Sequence, residues 1–332
     1  MKRKLISIAV GAACAVTSVA TLAMDGPTVY GRMDLSLETA DIESAGTDAW
    51  RVTSHTSRLG FKGRADLDGT LSVIYKYETA ISPDTGVVAG TTRNAFIALK
   101  CDDLGTILLG RHDSPLKQAQ GKIDQFNYHA ADIKNVLLGE TRMMNVVEYI
   151  SPKIMDDFTV KFAIAPGEGA NIDGSGGVED GIADSISFSV TYAVDDLYLA
   201  FGYDDTVVTG IPAVDGGGAL AIDLIRLVAA YKMDDFKFGF LYQDGEPSVG
   251  TGDHSGLILS GSYKMDSNTF KAQFGQVETA NLDRTLLAFG VDHMLGKKTD
   301  VYAELTILSA DSTAPAADTD DTTIGVGVRH KF

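Results

Sequence analysis

Apolar and polar residues alternate along most of the chain. In TVYGRMDLSLE, which begins at Thr28, one face carries Val29, Met33 and Leu37, and the other carries Arg32. A period of two is typical of a β-strand with one apolar and one polar side. The same alternation recurs in GTLSVIYKYET, DSISFSVTY and DFKFGFLYQ, and it is less regular near residues 220–232 and 284–294. Sixteen strands are predicted, and they begin near residues 28, 54, 69, 92, 104, 144, 158, 184, 195, 220, 235, 255, 268, 283, 299 and 322.

The connections between these runs alternate between short turns and longer segments. Seven short turns such as CDDLG and VDD alternate with eight longer connections, so both chain ends fall on the short-turn side. This rhythm is typical of an all-β, up-and-down antiparallel transmembrane β-barrel with tight periplasmic turns and longer outside loops. Strands of about ten residues suit a tilted crossing of a bilayer. The alternative fold is a secreted β-sandwich or β-helix, which would bury the apolar faces.

The two ends of the chain predict its destination. Residues 1–23 combine Lys2, Arg3 and Lys4 with an apolar run and a small residue at Ala23, as a cleavable signal peptide does. A lipoprotein signal ending at Cys14 is the weaker alternative. The barrel then spans residues 24–332, and its final strand, IGVGVRHKF, stops on an aromatic residue. We therefore expect an outer-membrane location, contact with membrane lipid, and delivery to the barrel-assembly machinery through Phe332.

Composition narrows the function. Removing residues 1–23 leaves 25 basic against 45 acidic residues, a balance that excludes nucleic acid as a partner. Cys101 is then the only cysteine, so no internal disulfide is expected. No motif with usable catalytic or metal-ligand spacing is present, so we predict no enzyme activity, no cofactor and no metal site. The longer connections, the third excepted, are acidic, which is compatible with divalent cations bridging to lipopolysaccharide.

The third long connection, residues 113–142, is too long and too apolar for an ordinary solvated loop. We predict that it folds back into the barrel lumen and constricts it. The apolar anchors are Ile123, Phe126, Tyr128, Ile133, Val136, Leu137 and Leu138.

Charged candidates for this constriction lie on the polar faces and on the connection. The first three strands place four cations on the lumen side at a similar depth, and charges opposed across a narrow aqueous gap orient polar solutes. The wall candidates are Arg32, Arg58, Lys62 and Lys76, and the candidates on the connection are Asp124, Asp132, Lys134 and Glu140.

The blocks TVYGRMDLSL, SRLGFKGRADL, RNAFIALK, GTILLGRHDSP and VGVRHKF, in this order and spacing, resemble those of the Gram-negative general porins. Two departures are the ADLDG turn and Glu148, an acid at a lumen position that is often basic in that family. The resemblance implies a homotrimer of sixteen-stranded diffusion channels whose third outside loop narrows the pore. The expected function is passive diffusion of ions and small hydrophilic solutes; the alternatives are a substrate-selective channel for anions or small organic acids, and a barrel enzyme or adhesin.

Overall fold

The computed structural model describes residues 26–88, 92–169, 179–210, 219–248, 252–279, 282–312 and 318–332. The predicted signal peptide lies outside the described residues. No helix within them is long and apolar enough to cross a membrane. The strands in the described chain are β1 (Thr28–Ile42), β2 (Thr47–Ser54), β3 (Arg58–Asp68), β4 (Leu71–Ala80), β5 (Thr92–Cys101), β6 (Gly105–Asp113), β7 (Arg142–Ile150), β8 (Phe158–Ala165), β9 (Ser185–Val194), β10 (Leu197–Gly210), β11 (Ala219–Met233), β12 (Phe236–Pro247), β13 (His254–Met265), β14 (Asn268–Thr279), β15 (Leu282–Gly296), β16 (Thr299–Ser312) and β17 (Thr319–Lys331).

The strands form a single closed antiparallel barrel. Successive strands pair along the chain, and β17 returns to pair with β1. Strands β2 and β3 both pair with β1, one after the other, so together they fill one wall position. The wall therefore has sixteen positions, which confirms the predicted strand number and closure.

The break between β2 and β3 is held by backbone and side-chain bonds. Thr56 adopts a left-handed backbone conformation, with φ of 49°. The His55 N–H donates to the Asp34 carbonyl oxygen at 2.9 Å, and the Asp34 N–H donates to Ser57 Oγ at 2.9 Å. A serine hydroxyl thus replaces one ladder bond, so the wall remains continuous although the strand is interrupted.

The strands extend further than the sequence pattern suggested. The register of β1 with β2 runs from Leu35 opposite Ser54 to Ile42 opposite Thr47. The second wall position therefore starts near residue 47 and not near 54. Only residues 43–46, which include a 3₁₀ turn at Glu43–Ala45, remain as the first long connection.

The apolar faces point outward, as predicted. In β1, Val29 is 65% exposed and Leu37 is 47% exposed, whereas Asp34 is fully buried. A soluble β-protein buries its apolar faces, so this inverted arrangement is the one expected of a barrel surrounded by lipid.

One part of the wall is apolar on its inner side too. Leu224, Leu241, Ile258, Val277 and Leu286, on β11 to β15, are each at most 1% exposed. These strands carry apolar residues on both faces, which explains the irregular alternation near residues 220–232 and 284–294. We call the surface formed by these five side chains the apolar wall.

Candidate functional site

Residues 114–141, between β6 and β7, form a segment that contacts strands on several sides of the barrel. It starts with a one-turn helix, α1 (Pro115–Ala119), whose first turn is capped by Ser114 Oγ accepting from the Lys117 N–H at 3.1 Å. Tyr198 Oη, on β10, donates to the Ala119 carbonyl oxygen at 2.9 Å. The sequence predicted boundaries at residues 113 and 142, one residue outside this segment on each side.

The middle of the segment packs on the apolar wall. Ile123, Phe126 and Leu137, each 1% exposed, belong to the same buried cluster as Leu241 and Ile258. Burying a side chain of this size stabilises a structure by about 1.5–3 kcal/mol, so the five anchors of this cluster hold the segment firmly. All five, Ile123, Phe126, Ile133, Val136 and Leu137, were identified from the sequence as anchors.

Glycines on the wall make room for these anchors. A Cβ added at Gly239 would lie 2.9 Å from Ile123 Cβ, and one added at Gly256 would collide with Leu137 Cδ2. These glycines are therefore needed for close approach of the segment and not for a turn.

A buried ion pair ties the end of the segment to β11. Arg226 is fully buried, and its Nη1 lies 2.7 Å from Glu140 Oε1. Arg226 Nη2 also donates to the Leu138 carbonyl oxygen at 2.9 Å and to Gln243 Oε1 at 2.8 Å. Because each of these groups has a partner, the charge is compensated inside the barrel.

The opposite side of the segment presents Tyr128 to three arginines. The guanidinium carbons of Arg93, Arg32 and Arg58 lie 4.8, 5.4 and 5.7 Å from the Tyr128 ring centroid. Arg93 Nη2 donates to Tyr128 Oη at 2.8 Å. The Tyr128 backbone is left-handed, with φ of 77°, and its N–H donates to Asp132 Oδ2 at 2.6 Å. Asp132 thus stabilises the turn that points the ring at the arginines.

His129, the next residue, sits between two carboxylates. Its Nδ1 lies 2.9 Å from Glu304 Oε2, its Nε2 lies 3.7 Å from Asp34 Oδ2, and its ring stacks on His55 at 4.5 Å between centroids. Burial alone would lower the pKa of His129, but the two carboxylates outweigh burial and raise it to about 9. The imidazole is therefore charged at neutral pH.

The wall facing Tyr128 concentrates cations around one acid. Glu78, on β4, lies 2.5 Å from Arg93 Nε, 3.5 Å from Lys76 Nζ and 3.8 Å from Arg58 Nε. Tyr30 Oη also donates to Glu78 at 2.9 Å. We call this group the basic wall; its cations are Arg32, Arg58, Lys62, Lys76 and Arg93.

The four cations predicted from the sequence occupy two levels of the wall. The register places Arg32 opposite Arg58 and Lys62 opposite Lys76. The two cross-strand pairs are four residues apart along β3, which corresponds to about 13 Å between them along the strand. The side chains partly close this gap, because Lys62 and Lys76 lie 5.2 and 5.9 Å from the Tyr30 ring, beside Glu78.

The charged candidates on the segment have other contacts. Asp124 Oδ1 accepts from the Phe126 N–H at 3.0 Å, and Asp132 Oδ1 accepts from the Lys134 N–H at 2.8 Å, so both stabilise turns. Lys134 is exposed, and Glu140 pairs with Arg226 on the apolar side. Within the described chain, the ion pairs of the basic wall go to Asp34 and Glu78, which belong to the wall itself.

Sequence reasoning missed Arg93. The register of β4 with β5 shifts between Tyr77 and Thr79, so two residues of β5 oppose Glu78. Such a bulge changes the face on which the following side chains lie, and counting by twos does not detect it. The same reasoning did not identify His129 or its two carboxylate partners.

A closed antiparallel barrel with an apolar exterior and buried charges defines a β-barrel membrane protein of the channel-forming type. The family model described as Gram-negative porin matches residues 9–313. The chain therefore belongs to the Gram-negative porin family, and it forms a passive diffusion channel in the outer membrane; membership of this family favours a channel over an enzyme.

Individual relatives agree with this assignment. "Outer membrane porin protein 32" of Delftia acidovorans is 26% identical, and the match covers the whole of both chains. The solved anion-selective porin from Comamonas acidovorans superposes with a TM-score of 0.76 at 23% identity, over 92% of this chain and 99% of that one. The trimer form of OmpT from Vibrio cholerae gives a TM-score of 0.68 at 18% identity, over 92% and 99%.

Proposed function

We propose that the 114–141 segment crosses the lumen and forms the constriction of the channel. The observation that carries the proposal is that the segment is attached on two sides: Leu137 and Glu140 contact the apolar wall and its neighbour Arg226, and Tyr128 and His129 contact the basic wall and Glu304. A segment fixed on both sides of a barrel divides the water-filled cross-section and leaves its narrowest part beside the charged side chains.

The constriction prefers anions. The basic wall holds five cations, and the acids paired with them are Asp34 and Glu78. Tyr128, which faces the arginines, carries no charge to cancel the excess, and Asp124 and Asp132 are occupied within the segment. Acidic side chains at the long-loop ends of the strands attract cations, but screening weakens this effect as salt rises. The preference for anions therefore increases with ionic strength.

Reversal potential across a planar bilayer tests this proposal. In a tenfold KCl gradient, we expect the wild-type reversal potential to have the sign of a chloride-preferring channel. Its magnitude should be larger when the mean salt concentration is high. The variant R58Q/R93Q removes two positive charges from the basic wall and moves the potential toward potassium. The control K232Q removes an exposed lysine of β11 that pairs with Asp196 in the turn between β9 and β10. It leaves the reversal potential unchanged. An equal shift in both variants, or none in R58Q/R93Q, refutes a constriction at the basic wall.

A second candidate function is selective uptake of small organic anions. The observation that favours it is the convergence of Arg32, Arg58 and Arg93 on Tyr128, since guanidinium groups bind carboxylates through paired hydrogen bonds. Selective uptake requires saturable block of chloride current by a dicarboxylate at micromolar concentration. Block only at tens of millimolar favours general diffusion.

We also propose that the protein is a homotrimer. Membership of the porin family and the fold shared with the trimer form of OmpT support this proposal. The expected result is that the conductance rises and falls in groups of three equal steps. Single independent steps at every insertion, together with a monomer mass in mild detergent, contradict it.

A further inference from the structure

A polar cavity of about 710 Å³ lies between the 114–141 segment and the ends of the strands. Lys237 is the second residue of β12, Thr269 is the second residue of β14, and Lys331 is the last residue of β17; all three line the cavity. Each of them adjoins a short turn or the chain end. The cavity is therefore on the short-turn side of the segment, which faces the periplasm in an outer-membrane barrel.

The cavity lining is strongly basic. It includes seven lysine or arginine side chains and three aspartates. Four of the cations are held by acids. Lys271 Nζ lies 3.0 Å from both Asp292 Oδ1 and Glu304 Oε1, and Arg329 Nη2 lies 2.6 Å from Asp300 Oδ2. Arg32 and Lys117 pair with Asp34 and Asp113 at 3.5 and 3.4 Å. These pairs fix the side chains and cancel most of their charge.

Three further lysines remain uncompensated. Lys122 on the segment, Lys237 on β12 and Lys331 on β17 are exposed, and in the described parts of the chain none of them forms an ion pair. Lys237 and Lys331 stand on strands five wall positions apart, with the cavity between them. A single small ion therefore reaches one of these lysines at a time, whereas an extended anion with charges at both ends reaches two or more.

We propose that this cavity is a periplasm-facing binding site for extended oxyanions that carry several charges, such as linear polyphosphates. The proposal depends on the placement of the 114–141 segment across the lumen given above. Lys122, Lys237 and Lys331 supply the attraction, while the hydroxyls of Ser262 and Thr269 provide donors for oxyanion oxygens. A large anion reaches this site only from the periplasmic side, because the constriction lies between the site and the opposite mouth. Its block of the current therefore depends on the side to which it is added.

One-sided block of the current tests the proposal. Tripolyphosphate is added to one side of a bilayer holding a single wild-type channel and, after washing, to the other side. We expect chloride current to be blocked from one side at concentrations where orthophosphate has no effect. In K237Q/K331Q the concentration for half block rises about tenfold, because two unit charges near the anion are lost. Both lysines are exposed, so the double variant is expected to fold like the wild type.

Two controls separate this site from the constriction. K153Q removes a lysine from the turn after β7, outside the cavity, and leaves the block unchanged. R58Q/R93Q changes the reversal potential but retains the one-sided block. K237Q/K331Q weakens the one-sided block but leaves the reversal potential unchanged. Equal block from both sides, or block that persists unchanged in K237Q/K331Q, overturns the periplasmic site and leaves the anion-preferring constriction standing. Lack of any anion preference in the wild type overturns the constriction proposal instead.

Discussion

Replacing His129 with glutamine tests how the segment is held against the basic side of the barrel. Glutamine has a similar volume but no charge, so H129Q leaves the carboxylates of Asp34 and Glu304 without their shared cation. The other charged or titratable groups around this position include His55, which stacks on His129, and Tyr302, whose ring centroid lies 4.9 Å from that of His129. Arg32 pairs with Asp34, and Lys271 pairs with Glu304. The substitution should weaken the attachment of the segment at this point.

The magnitude follows from the pKa of His129, which is raised from 6.5 to about 9. A shift of this size corresponds to a contribution of about 3 kcal/mol to the free energy of unfolding, as an upper value. Because the pKa in the folded protein is the higher one, the contribution is complete below pH 6.5 and is lost as the pH rises through 9. The wild type is therefore more stable than H129Q by up to about 3 kcal/mol at pH 6, and most of that difference disappears by pH 10.

Urea unfolding in detergent micelles at pH 6, 8 and 10 measures this difference. The control is H293Q, since His293 is exposed and bonds only to Asn268 Oδ1 at 2.8 Å among the described residues. We expect H293Q to follow the wild type at every pH. A difference between wild type and H129Q that stays constant from pH 6 to pH 10 means that His129 acts through packing and not through charge, and the electrostatic argument is then wrong.

Three further outcomes are expected. R226M removes the nearer cation from the Glu140 carboxylate, leaves Lys117 Nζ at 3.9 Å, and lowers the free energy of unfolding by up to about 3–5 kcal/mol, while R226M/E140Q recovers part of the loss in the same urea titration. G256V pushes against Leu137 and loosens the segment, which appears as larger open-channel current fluctuations in bilayer recordings; unchanged fluctuations argue against this packing. Y128F removes the hydroxyl that accepts a hydrogen bond from Arg93, so the free energy of unfolding measured in urea falls by about 1 kcal/mol. Its reversal potential remains that of the wild type.

The architecture of the barrel was largely predictable from local pattern. Period-two alternation identified the wall positions, and the alternation of short and long connections predicted antiparallel closure. The strand ends were harder to predict. Beyond Leu37, β1 continues through Ile42 with mixed polar residues, because pairing with β2 satisfies its backbone whether or not its side chains alternate.

The partners of individual charges were not predictable in the same way. Glu140 faces Arg226, which is 86 residues further along the chain, and His129 meets Glu304 from β16. Such pairs depend on how the segment turns at Tyr128 and Asp132, and alternation carries no information about those turns. The bulge opposite Glu78 similarly decides the orientation of Arg93 without a signal in the sequence.

The division of the inner surface into an apolar and a basic wall connects the sequence pattern to the channel. A segment inside a water-filled barrel gains little from surface ion pairs, which typically contribute about 1 kcal/mol or less. Buried side chains such as Ile123 and Leu137 contribute more, so a lasting attachment requires an inner surface that breaks the polar-inside rule. The inner apolar residues of β11 to β15, which make the alternation irregular, form that surface. Because they hold the segment, the cations of the opposite wall are free to act on solutes. Substituting inner apolar residues with polar ones, as at Ile258, should therefore loosen the segment without changing the cations to which we assign the proposed anion preference.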